Sequence, residues 1–183
     1  YEKLGGTTPL EVILKFPEKK EDKLDEDDEF EDWGDDDKND EKYWFTKDKV
    51  ETISNIHNYL DSLPEIGKVL SFSSIVDVAT QLNNNKPLGT LEMGVLYTKI
   101  PENIKTEIID PYISIKDNEA RISLRIIDSQ KDLKRNELIK KINLDLQNEF
   151  GLNKDRYKLA GVMILFNNLL QSLFKSQILT LGL

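Results

Sequence analysis

The chain has 183 residues, 38% of them apolar, with 34 acids against 25 bases for a net charge of −9. That length is enough to bury a core. The absence of cysteine removes disulfides, thiolate metal sites and cysteine nucleophiles, and a single histidine, His57, leaves no histidine-based metal site or Ser-His-Asp triad. No basic patch or aromatic-rich basic run invites nucleic acid.

The charge is concentrated. Residues 18–42 hold 15 of the acids and 5 of the bases, leaving 19 acids and 20 bases for everything else. The low isoelectric point therefore belongs to one segment, and the rest is nearly neutral. The sequence begins with Tyr1 rather than Met, so it reads as a piece of a longer protein. No signal peptide is visible.

Gly5-Gly6-Thr7-Thr8-Pro9 reads as a turn, and Leu10 to Phe16 alternates apolar and polar residues with the period of a strand, closed by Pro17. The acidic tract 18–42 is expected to be a solvated, disordered insertion. Its carboxylates suit a hard cation, but an EF-hand loop placed on Gly34 puts Trp33 at a ligand position, and the pattern fails. Phe30 and Trp33 could dock a partner, and the run Tyr43-Trp44-Phe45 is read as an anchor for the end of the tract.

Thr46 is placed to cap a helix carrying Val50, Ile53, Ile56, Leu60 and Leu63, stopped by Pro64. His57 sits beside that stripe and is read as a partly buried structural histidine rather than a proton switch. Ile66–Leu70 is a short strand. Ser71 to Ser74 opens a second helix with Ile75, Val78, Ala79 and Leu82 expected on one face, broken at Asn83 to Pro87. Leu91–Thr98 and Glu102–Ile109 are two more short helices separated by Pro101. Their apolar residues, Leu91, Met93, Leu96, Tyr97, Ile100, Ile104 and Ile108, either close the edge of the core or line a cleft for an apolar ligand.

After Pro111 comes an extended stretch over residues 112–115 and a turn at Asp117-Asn118. Ala120–Ile127 is a clear strand. Asp128, Ser129 and Asp132 suit helix capping better than catalysis. Leu133–Phe150 is an amphipathic helix with Leu138, Ile142 and Leu146 in register and Gly151 just past its end. Tyr157–Leu165 is expected as a last strand, broken by Gly161, with helix from Asn167 onward.

With the short helices set aside, the order is β-α-β-β-α-β. The expected fold class is α+β: a ferredoxin-like split βαβ antiparallel sheet with both long helices on one face. Residues 72–109 are then a helical insertion between the second and third core strands of a single domain spanning 1–183. No nucleophile, base and oxyanion donor assemble, and no phosphate-binding glycine loop lies between a strand and a helix. The sequence points to a non-enzymatic protein with no catalytic residue, cofactor or metal site.

The last 25 residues, Leu159 to Leu183, contain one charged side chain, Lys175. Spanning a bilayer takes about 20 apolar residues. The amides Asn167, Asn168, Gln171 and Gln177 argue that residues 167–183 form a helix that leads into a membrane span beginning near Ile178. Its membrane-proximal part is marked by Gln171, Phe174, Lys175 and Gln177.

The stretch LPEIGKVLSFSSIVDVATQLNNNKPL (63–88), followed by LYTKIP, ARISLRIIDS and FNNLLQSLFKSQILTLGL, resembles exporters of the RND superfamily, nearest their MMPL-like, hydrophobe/amphiphile efflux branch. The resemblance covers nearly all the chain except the acidic tract. It implies an extracytoplasmic porter domain on the periplasmic side of a bacterial inner membrane. The implied partners are a sister loop and the transmembrane helices of the same transporter, and the implied cargo is hydrophobic or amphiphilic, plausibly lipid-like. Substrate-facing candidates are Leu91, Met93, Leu96, Tyr97 and Ile100. The proton-relay carboxylates of such exporters lie in membrane helices and have no counterpart here. The rival reading is a periplasmic protein-interaction or protein-export accessory module that uses the acidic tract to recruit a basic partner.

Overall fold

Strict alternation in Leu10, Val12 and Leu14 puts one face of the first strand wholly out of water, and the rest of the sheet is assembled around it. A computed structural model describes residues 8–17, 44–127 and 135–180. The acidic tract with Phe30, Trp33 and Gly34, the Gly5-Gly6 turn, Tyr43 and the capping candidates Asp128, Ser129 and Asp132 lie outside the described residues.

The elements in chain order are β1 (Thr8–Lys15), α1 (Lys47–Asp61), β2 (Ile66–Leu70), α2 (Phe72–Leu82) and α3 (Thr90–Lys99). A helical turn, Glu102–Ile104, then runs into a π-helical segment, Lys105–Ile109. After these come β3 (Ile113–Ser114), β4 (Glu119–Ile126), α4 (Arg135–Asn148), β5 (Tyr157–Ala160) and α5 (Val162–Thr180). The protein is α+β, with a five-stranded antiparallel sheet. The four longer strands lie in the order β2-β4-β1-β5, and the two-residue β3 pairs with β4 as a short hairpin.

Register explains the single buried face. Leu10 lies opposite Leu124, Val12 opposite Ile122 and Leu14 opposite Ala120, all fully or nearly fully buried. Ile53, Ile56 and Leu60 from α1 and Leu138, Ile142 and Leu146 from α4 close over that face in one continuous core. Truncating any of these to Ala would cost about 2–5 kcal/mol. The other face carries Glu11, Ile13, Arg121, Ser123 and Arg125, where Arg121 Nη1 lies 3.6 Å from Glu11.

Local chemistry sets the helix starts. Thr46 caps α1 by accepting the Lys49 N–H at 3.4 Å. Ser71 caps α2 by accepting the Ser73 N–H at 3.1 Å, and Ser74 Oγ accepts back from the Ser71 N–H in a capping box. At the end of α4, Gly151 takes a left-handed φ of 63°, letting Leu152 fold back so that its N–H donates to Leu146 O at 3.0 Å.

Two expectations are corrected. The last strand does not reach Leu165: it ends at Ala160, and helix begins at Val162 rather than at Asn167. A run as apolar as 159–166 carries no period that separates strand from helix, and the break comes from Gly161 at φ 130°. On α2 the buried face is Phe72 with Ile75, Val76 and Ala79, while Val78 and Leu82 point outward and are exposed.

Strand directions give the molecule two ends. At one end β5 runs past the start of β1, and a Cβ placed on Gly161 would lie 2.8 Å from the Pro9 carbonyl oxygen. α5 leaves from there with no intervening loop. At the other end lie Phe16, Asn118 and the insertion of residues 72–109 that joins β2 to β3.

Candidate functional site

At that second end, Asn118 acts as a clasp. Its backbone is left-handed, with φ 53°, and its side chain faces the chain on both sides of the acidic tract. Asn118 Nδ2 donates to the carbonyls of Phe16 (3.2 Å) and Pro17 (3.0 Å), where the chain leaves β1. Asn118 Oδ1 accepts from Trp44 Nε1 (3.0 Å) and Lys49 Nζ (2.8 Å), where the chain returns. The Lys49 ammonium also sits 4.6 Å from the Trp44 ring centre, a cation–π contact. Trp44 and Phe45 are buried, as an anchoring role requires.

From the clasp, aromatic rings continue inward. Phe16 packs edge-on against Trp44 at 5.9 Å, Trp44 against Phe45 at 5.3 Å, and Phe45 against both Phe72 (5.3 Å) and Tyr97 (5.1 Å). Phe45, Phe72 and Tyr97 form one wall of an apolar slot beneath α2 and α3, completed by Ala79, Met93 and Ile109 among others. The slot's free volume is about 30 Å³. That is room for about one water, in a lining that offers water no partner.

The structure divides the sequence candidates. Met93 and Tyr97 are buried in the core, so they close its edge, while Leu96 and Ile100 line the slot. Leu91 points to solvent at 70% exposure, and Ile104 and Ile108 are also exposed. Phe45, Phe72 and Ile109 belong to the slot without having been singled out for it, because their partners come from distant parts of the chain.

Lys105 was likewise not foreseen. It opens the π-helical segment, in which the Asp110 N–H donates to Lys105 O at 3.0 Å. Such widened turns often accompany functional positions. Only 8% of Lys105 is exposed. Its ammonium lies 4.5 Å from the Tyr97 ring centre and 3.5 Å from Glu102, whose own carboxylate is 83% exposed. A buried ammonium held by one ring and one solvated carboxylate is under-compensated.

His57 is buried on α1, with Nδ1 2.9 Å from Ser71 Oγ, the residue that caps α2. With the ring proton on Nε2, the hydroxyl donates to Nδ1 while its oxygen accepts the Ser73 N–H. Burial lowers the His57 pKa below its ordinary value, and the carboxylates of Asp61 and Asp77 partly oppose that shift. The ring is thus held neutral as a strut between two helices.

α5 is the second candidate region. Val162, Leu165, Leu169 and Leu173 recur at intervals of three, four and four, and with Phe174 each is more than half exposed. They form an apolar stripe along a helix anchored to the core through Ile164. Lys175 and Gln177 are exposed near its far end, and Gln171 falls on the same helix with its side chain outside the described part. No helix among the described residues is long and apolar enough to cross a membrane. No group of three or more His, Asp or Glu among the described residues could hold a metal ion.

No family model, curated protein or solved structure matches the chain.

Proposed function

We propose that this chain is an extracytoplasmic porter domain of a proton-driven RND/MMPL-type exporter, on the periplasmic side of a bacterial inner membrane, handling hydrophobic or amphiphilic cargo. Its fold in that reading is the ferredoxin-like split βαβ arrangement. The order β2-β4-β1-β5 supports this, with α1 and α4 closing over one face and the 72–109 insertion between β2 and β3.

The observation that carries the proposal is α5. It departs from the sheet edge through one glycine and displays an apolar stripe that nothing among the described residues covers. A helix so built suits a connector between a folded domain and the membrane helices that drive it. Tilting of those helices would swing the domain against its sister loop, opening and closing a cleft on the side of α2 and α3.

The test is motion. Nitroxide labels on Leu91 and Leu96, which are exposed and leave the core intact, are read in the full-length protein in proteoliposomes. Imposing a proton gradient should change their mobility or the distance to a label on the sister loop. Spectra indifferent to the gradient, in vesicles that export an amphiphile, would sink the reading.

A further inference from the structure

We propose that the slot under α2 and α3 binds the alkyl chain of a fatty acid, with Lys105 holding its carboxylate. The inference deepens the porter reading and rests on it for the ligand's fate, whereas occupancy is a property of the chain alone.

Three observations converge. The slot wall is apolar and largely aromatic, with Phe45, Phe72 and Tyr97 on one side and Ala79 on the other, so it can hold methylene groups and satisfies no polar ligand. The same elements expose Val78, Leu82, Leu91, Leu96, Ile104 and Ile108, an apolar surround for a chain arriving from outside. The Lys105 ammonium lies against Tyr97, a wall residue, with Glu102 at 3.5 Å as its ion-pair partner among the described residues. A ligand carboxylate offers that ammonium a shorter, charge-assisted bond in a drier place than the solvated Glu102 does.

The resting free volume of about 30 Å³ means that the chain enters by displacement rather than by filling a void. The link between α2 and α3 allows this. Residues 81–87 are all exposed, and Asn84 and Asn85 turn the chain with left-handed φ values of 56° and 59°. α3 can therefore shift outward, carrying Leu96, without breaking buried contacts in that link. The insertion carries both signs of charge in near balance. Head-group preference accordingly falls to the one cation already buried beside the wall.

The test is photolabelling of the purified chain with a diazirine-bearing palmitate, mapped by peptide mass spectrometry, without membrane or gradient. Label should appear within residues 72–109 and be displaced by palmitate. Ala79→Phe, which fills the slot, should cut that labelling at least tenfold at an unchanged melting temperature. If it unfolds the protein, Leu96→Trp at the mouth serves the same purpose. Lys105→Met should weaken competition by palmitate about tenfold, the worth of a charged hydrogen bond, and leave competition by hexadecanol unchanged. Label confined to α5, labelling indifferent to the slot-filling change, or equal weakening of acid and alcohol would each overturn the proposal. Palmitate binding with no gradient-driven motion would keep the site and remove the porter reading.

Discussion

The hydroxyl of Tyr59 on α1 donates to Asp145 Oδ2 on α4, which makes the two helices covering the sheet a cross-linked pair. The Tyr59 ring also packs on Phe150 at 5.4 Å, so the same side chain ties α1 to the end of α4.

Tyr59→Phe keeps the ring contact and removes the bond to a carboxylate. We expect a loss of about 1–2 kcal/mol, the lower range for a charged hydrogen bond because both groups are partly solvated. The measurement is a shift in urea midpoint at constant slope. Burial raises the Tyr59 pKa well above its ordinary value, and the Asp145 bond adds to this. The unfolded chain thus gives up this proton first, and stability falls as pH rises above about 10. The Phe variant should lack that part of the alkaline decline.

His57 works in the opposite pH direction. Its folded pKa is depressed, so the unfolded chain takes up the proton first and stability is lost as pH falls below about 6.5. Denaturation midpoints measured from pH 7.5 down to 5 should drop for the wild type. In His57→Gln the profile should be flatter over that range. An equally steep decline in the variant would assign acid sensitivity to other groups.

Gly161→Ala is expected to cost about 1–3 kcal/mol, the range for a strained backbone position. The added methyl would meet the Pro9 carbonyl oxygen at 2.8 Å, and the backbone sits at φ 130°. Thermal unfolding monitored by circular dichroism reads the loss. A neutral result would mean that the junction between β5 and α5 has slack.

The clasp makes the acidic segment dispensable for folding. Replacing residues 18–43 by about eight Gly/Ser residues should leave the fold intact. It should raise stability by up to about 1 kcal/mol through the shorter loop. Trp44→Ala, by contrast, removes a buried indole and the bond to Asn118, and should cost about 3–5 kcal/mol. If excision unfolds the domain, the tract has a structural role that the Asn118 contacts do not capture.

What could be read in advance was whatever is encoded within a few residues. Thr46 and Ser71 announce their helices through side chains that cap the backbone beside them, and Pro64 stops α1 by its missing N–H. Alternation over Leu10 to Leu14 gave a strand and its buried face together. The failures share a cause in distance along the chain. Asn118 looked like an ordinary turn residue because the carbonyls it holds are 101 and 102 positions away. Ile75 and Ala79 were correctly placed inward, but their neighbours Val76 and Val78 are chemically alike, and only contact with Phe45 and Tyr97 decides between them. Lys105 reads as a surface residue until the π-helical turn brings it under Tyr97.

The glycine junction also has a mechanical side. A 19-residue helix is about 28 Å long at about 1.5 Å per residue. With its base seated against Pro9 and no loop to absorb rotation, it is a stiff arm on a short pivot. Swinging such an arm through about ten degrees carries its tip roughly 5 Å, by the same rise per residue. Displacement at one end of the arm is thus exchanged for force at the other, and β5, only four residues wide, is the bearing that has to withstand it.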